Sequence, residues 1–181
     1  MSDAKKSRIL AAALPVFMRH GFRRVSMADI AEAAGMSRPA LYLTFCSKED
    51  IFTDLLKQWI DETIENVRTE MSRCRTPKSK LTRAFEVWAV QPFATAMESL
   101  EMRELLECSF DFAEDVMAQG YRQFEAVIAS VLPNNIRGRP TAERTAHVLA
   151  SAVRGFKQTA TTQAELRQLI EELLLLSLPA A

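Results

Sequence analysis

The chain is poor in the residues that catalysis, cross-linking and metal binding use most. Three of its 181 residues are cysteine and two are histidine. Cys46, Cys74 and Cys108 are odd in number, far apart and without a C-x-x-C pair. That pattern excludes a disulfide framework and fits reduced thiols in a cytoplasmic protein. His20 and His147 are too few for a histidine-rich metal site. Glycine is scarce, five in all, and it forms neither a phosphate-cradling loop nor a G-x-S-x-G nucleophile elbow. With no metal-ligand spacing and no nucleophile set beside a base, an enzyme is not expected, nor any cofactor or metal. Long apolar runs are missing too. The longest candidate, residues 173–179, falls far short of the roughly eighteen residues that span a bilayer. The two lysines ahead of the first apolar run imitate a signal peptide, but Pro15 interrupts that run and Arg19, His20, Arg23 and Arg24 follow it. A cytoplasmic protein with no membrane partner is the expectation.

Net charge is also absent, with 23 basic residues against 23 acidic. Its distribution is uneven. Residues 1–50 carry eight Lys or Arg and five Asp or Glu, leaving the remainder three charges negative. A basic head on an acidic body is the asymmetry expected where only the head meets phosphate.

What the chain does have is helical periodicity. Ile9, Leu10, Ala13 and Phe17 stripe a first helix over 4–20, with Pro15 as an expected kink. Ser47 and Asp50 make a capping box that opens a long fourth helix over 48–73, and Thr76-Pro77 suits the start of a fifth. That fifth helix is expected over 78–95 with a bend at Pro92. Others are expected over 97–108, 111–132 and 141–159. A last one follows the Thr162–Glu165 box and ends near 178, after the loop 133–140. No stretch alternates like a strand. The reading is an all-α chain of about nine helices: a three-helix domain over 1–50, then a larger helical domain over 51–181.

The most informative stretch is 25–48, VSMADIAEAAGMSRPALYLTFCSK. Ser26 caps a helix and Asp29 completes its box, with Ile30, Ala31 and Ala34 on one face. Gly35 stands where the chain needs positive φ. Ser37 caps a second helix whose first turn tolerates Pro39, and Leu41 and Phe45 point together toward the first. Helix, glycine turn, helix is the layout of a helix-turn-helix, whose second helix enters the DNA major groove. Gly21-Phe22, Ser26-Met27-x-x-Ile30-Ala31-x-x-Ala34-Gly35-Met36-Ser37 and Leu41-Tyr42-x-x-Phe45-x-Ser47-Lys48-Glu49 together resemble the DNA-binding domain of TetR-type bacterial repressors. The resemblance covers about the first third of the chain and fixes residue types and spacing over some thirty positions.

By that resemblance Ser26, Tyr42 and Lys48 would contact phosphates of double-stranded DNA. Arg38, Pro39, Ala40, Leu43 and Thr44 would meet base edges, with Arg38 able to pair with guanine and Pro39 or Ala40 to touch a thymine methyl. The chain departs from the family at Pro39, where glycine is common, and at Leu43-Thr44, where aromatic, histidine or other polar residues are usual. The resemblance also implies a body that receives a small-molecule effector and forms a homodimer. Phe85, Trp88, Phe93, Met102, Phe110, Met117, Tyr121 and Phe124 concentrate aromatic and thioether groups, as a pocket for an apolar or aromatic effector would. A hydrophobic core would use the same residues. Val148, Leu149, Ala152 and Phe156 stripe one of the last helices, and Leu166, Leu169, Ile170 and Leu173 the other. That is enough for a four-helix interface between two protomers, the alternative being a hairpin within one chain. The function implied is a ligand-responsive repressor on a palindromic operator. The alternative is a DNA-binding adaptor or activator that answers to a protein partner.

Overall fold

Short polar side chains decide where most of the helices begin. In the computed structural model, which describes residues 2–107, 110–133 and 140–178, Ser26 accepts the Asp29 N–H and Ser37 the Ala40 N–H. Ser47 and Asp50 exchange hydrogen bonds of 3.1 Å in both directions, a closed capping box. Thr76, Thr141 and Thr162 accept the N–H groups of Ser79, Arg144 and Glu165. Each cap satisfies a donor that the helix itself leaves unpaired. The helices are α1 (Ser2–His20), α2 (Met27–Ala33), α3 (Arg38–Tyr42), α4 (Lys48–Ser72) and α5 (Pro77–Phe85). A π-helical segment, Glu86–Val90, leads into α6 (Gln91–Ala96). Then come α7 (Leu100–Glu107), a 3-10 turn at Asp111–Ala113, α8 (Glu114–Ala129), α9 (Ala142–Thr159) and α10 (Gln163–Ser177).

With α5, the π segment and α6 forming one continuous rod, the described residues hold about nine helices and no strand, as the periodicity implies. The bend expected at Pro92 takes the form of that π segment. Pro92 has no N–H and its ring crowds the carbonyl four residues back. Just ahead of it the Gln91 N–H bonds Glu86 O, five residues back, which widens the turn. Two expected starts lie later than the apolar pattern suggests. Ser99 accepts the Met102 N–H at 3.1 Å, so α7 begins at Leu100 and not at 97. The 3-10 turn delays α8 to Glu114. Cys108 and positions 134–139 of the expected loop lie outside the described residues.

Packing groups the chain into two compact units, Met1–Trp59 with Thr95–Met117, and Ile60–Ala94 with Ala118–Ala181. This grouping differs from a division at residue 50, because residues 95–117 return to the N-terminal helices. In the first unit α1 packs on α2 and α7, and α2 on α3. Its core joins Ile9, Ala13, Phe17, Ile30, Leu41 and Ile51, all nearly or wholly shielded from solvent. Phe22 is the hub of an aromatic cluster, with ring centroids 5.7 Å from Phe17, 5.2 Å from Phe52, 4.7 Å from Phe110 and 5.1 Å from Phe112. Gly21, at φ +73°, lets the chain turn from α1 into this cluster.

In the second unit α10 packs on α5, α9 and the π segment. Leu166, Ile170 and Leu174 form its buried stripe, with Leu81, Phe85, Phe124, Ile128 and Leu149 also buried in the unit. Trp88 stacks on Phe124 at 4.7 Å, and Arg167 grips Glu86 through a fork of 2.8 and 3.0 Å bonds. Among the described residues no helix is long and apolar enough to cross a membrane.

Candidate DNA-binding face

A five-residue helix cannot hold itself in water, so α3 must take its position from its surroundings. Leu41 and Phe45 are buried beneath it, and Ser37 caps its start. Gly35, at φ +61°, makes the turn that brings α3 across α2. An added Cβ there would meet no neighbouring atom, so backbone conformation alone favours glycine. With its inner face fixed, α3 turns Arg38, Pro39, Tyr42 and Leu43 outward. Leu43 is 85% exposed. A large apolar side chain so exposed, beside an arginine and a tyrosine, forms a surface that can meet a base edge or a thymine methyl. Ala40 and Thr44 are half-buried at its margin.

Ser26 is exposed at the start of α2, beside the exposed Arg23 and Arg24. Its N–H and hydroxyl both donate to Asp29 at 2.8 Å, and these bonds hold the Asp29 carboxyl below its ordinary 3.8. Hydrogen bonds likewise lower three glutamates: Glu70 through Arg83, Glu143 through its own backbone N–H and Thr141, and Glu165 through Thr161. A carboxyl lowered by folding adds stability above its unfolded pKa, and that contribution is lost as pH falls through the folded one. Acidification from about pH 5 downward should therefore weaken these four ties together, read as a falling urea midpoint. Ser26→Ala should return the Asp29 carboxyl toward its ordinary value, which a carboxyl-carbon NMR titration would register.

Lys48, expected at phosphate, is half-buried and turns its ammonium onto the protein's own backbone. It donates to the carbonyls of Phe22, Arg23 and Val25 at 2.9, 3.2 and 2.9 Å, and lies 4.5 Å from the centroid of the Phe22 ring. An ammonium has three donors, and all three are engaged on the loop that leads to Ser26. From α7, Glu104 and Glu101 grip the same loop. Glu104 accepts the Arg23 N–H at 3.2 Å and lies 3.6 Å from its guanidinium, while Glu101 stands 3.6 Å from that of Arg24. Sequence reasoning missed both carboxylates. They lie about eighty residues from their partners, and only the contiguous i, i+3 spacing of the two glutamates was visible.

The residues expected around an effector fall into two groups. Met102 and Phe110 pack against the core of the first unit, where Phe110 stacks on Phe112, and Met117 belongs to the same unit. Phe85, Trp88, Phe93, Tyr121 and Phe124 belong to the second, and Phe85 and Phe124 are wholly buried there. The residues expected at a dimer interface divide as well. Leu149, Leu166 and Ile170 are buried in their own unit, with almost no surface left for a partner. Val148, Ala152, Phe156, Leu169 and Leu173 keep exposed or half-exposed surface.

Residues 9–55 match the sequence family described as bacterial regulatory proteins, tetR family. The transcriptional activator FasR of Mycolicibacterium smegmatis is 30% identical over 86 residues, covering 48% of this chain and 39% of that protein. The fatty acid metabolism regulator protein of Bacillus subtilis is 29% identical over 104 residues, 55% of this chain and 54% of that one. The chain thus aligns with about half, or less, of the length of these curated relatives. A crystal structure of a TetR-family regulator from Mesorhizobium loti shares the fold, with a TM-score of 0.70 at 22% identity over 98% of this chain and 96% of that one. The capped helix pair, its outward-facing second helix and these likenesses agree: residues 9–55 of this chain form a DNA-binding domain of the TetR family.

Proposed function

We propose that the chain acts in the cytoplasm as a ligand-responsive homodimer, most simply a repressor, whose two heads read the halves of a palindromic operator. The observation that carries this reading is the outward face of α3, where Arg38, Pro39, Tyr42 and Leu43 stand on a helix anchored by Leu41 and Phe45. Residues 1–50 supply the head. Ser26 and Tyr42 hold phosphates while Arg38, Pro39, Ala40, Leu43 and Thr44 face bases. Lys48 serves by fixing the loop that presents Ser26, through the three carbonyls it caps.

Residues 51–181 supply the dimer and the sensor. Leu169, Leu173 and Leu176 form a second stripe on α10 beside the buried one, and Leu176 is 87% exposed. On α9, Val148, Ala152 and Phe156 do the same, and Gly155 has open space where a side chain would stand. Stripes of this kind on two adjacent helices favour a four-helix interface over a hairpin closed within one chain. The effector is an apolar or aromatic small molecule received by the aromatic side chains of the second unit, with Trp88 and Tyr121 foremost. Ligand acts by favouring a dimer whose heads no longer span both half-sites, with α4, unbroken from Lys48 to Ser72, as the route of coupling. Within the first unit, the hold of Glu101 and Glu104 steadies the α1–α2 loop that presents Ser26.

Selection of bound fragments from random DNA, followed by sedimentation of the complex, tests this reading. The expected result is a palindrome carrying two chains, released by a small molecule that quenches tryptophan fluorescence. A monomer on a single half-site would refute the dimer, and an effector that binds tightly without changing operator affinity would refute the coupling.

A further inference from the structure

The amino-terminal lysines of α1, Lys5 and Lys6, are both engaged with the protein. Lys5 Nζ donates to the Ala40 carbonyl at 2.9 Å, across 35 residues of sequence. That carbonyl is the one the end of α3 passes over. The Leu43 N–H bonds Pro39 O at 3.2 Å, and the Thr44 N–H bonds Leu41 O at 2.9 Å. Four residues on from Ala40, the helix thus sends its donor elsewhere. Lys6, next along, pairs with Asp54 of α4 at 2.7 Å and lies 5.8 Å from the centroid of the Phe45 ring. Two adjacent lysines of α1 therefore reach the last turn of α3 and the helix after it.

We propose that Lys5 is a positioning residue for DNA reading: its ammonium caps the carbonyl end of α3 and fixes the angle at which that helix is presented to the major groove. The proposal rests on the reading of α3 as the recognition helix. The physical case is specific to so short a helix. Its five residues provide little of their own hydrogen bonding, and the carbonyl end carries the negative pole of its dipole. A cation there satisfies both a bond and a charge. Leu41 and Phe45 set how deep α3 sits, while Lys5 adds a directional tie to α1 that apolar contacts lack. Lys5 thereby influences which bases are met without touching one.

A phosphate contact and a positioning tie differ in what they do to nonspecific DNA. The test compares the full-length parent with Lys5→Met, and with the milder Lys5→Gln, on the selected operator and on a random duplex of equal length across a range of salt. The expected result for Lys5→Met is a roughly tenfold loss on the operator, a change of less than about twofold on random DNA, and an unchanged salt slope. Lys5→Gln should fall between parent and Lys5→Met on the operator. Equal losses on both duplexes, with the slope shallower by about one, would make Lys5 a phosphate contact and overturn the proposal. Unchanged operator affinity would overturn it as well. Amide exchange in the free protein decides the matter independently of any operator. Residues 40–45 should exchange about threefold or more faster in Lys5→Met, while Ile30 and Ala34 keep parental rates. Equal rates at 40–45 would overturn the tie even if the parent itself showed no sequence preference, a result that would instead count against α3 as the reading helix.

Discussion

Phe22→Ala is expected to lower the stability of the protein by about 3–5 kcal/mol. The ring is buried and lies within 6 Å of four other phenylalanine rings, while the Lys48 ammonium sits over it. Truncation removes the apolar contact and leaves a cavity among side chains from α1, α4 and the 3-10 turn, which can close only by shifting those elements. Each lost ring pair adds roughly 0.5–1.5 kcal/mol beyond buried area. Urea unfolding followed by circular dichroism measures the loss. A change below about 1 kcal/mol would mean that the cluster is not the structural centre described above. Phe22→Leu should recover much of the deficit, because it restores volume though not the ring edges.

The second large effect concerns assembly. Leu176→Glu should convert the proposed dimer to a monomer and reduce operator affinity by about 10²–10⁴-fold, because the second half-site then loses its tethered partner. The side chain is already exposed in the single chain, so the substitution leaves the fold nearly unaffected. In a four-helix interface the same carboxylate would be buried without a partner, which is costly. Sedimentation equilibrium and operator titration of one preparation would separate the two consequences. A variant that stays dimeric at micromolar concentration would place the interface elsewhere, and Val148→Glu on α9 would then be the comparison to make.

How far these features were legible in the sequence depends on how local their causes are. The Ser26, Ser37, Ser47 and Thr76 caps, the turn at Gly35 and the stripe from Ile9 to Phe17 follow from residues a few positions apart, and the structure forms them as expected. Position within α10 was less legible. Its leucines reveal a helix with two apolar faces, but only packing shows that Leu166, Ile170 and Leu174 are inside while Leu169, Leu173 and Leu176 are not. The aromatic residues of 85–124 carried the same ambiguity. A phenylalanine in a core and one in a pocket have the same composition and spacing, and Phe110 proves to be a partner of Phe22. Least legible were the long-range polar ties. Lys5 to Ala40, Lys48 to three carbonyls and Glu104 to Arg23 join distant segments, and no periodicity announces them.

The central claim is that the exposed face of α3 reads DNA sequence. Binding-site selection run in parallel on the parent and on Arg38→Ala tests it most directly. The account predicts a palindrome for the parent and, for Arg38→Ala, lost preference at one symmetric pair of positions, with about 1–3 kcal/mol of discrimination removed there. An unchanged palindrome, or a loss of affinity spread evenly over all sequences, would contradict it, leaving Arg38 a phosphate contact and base reading to another part of the chain.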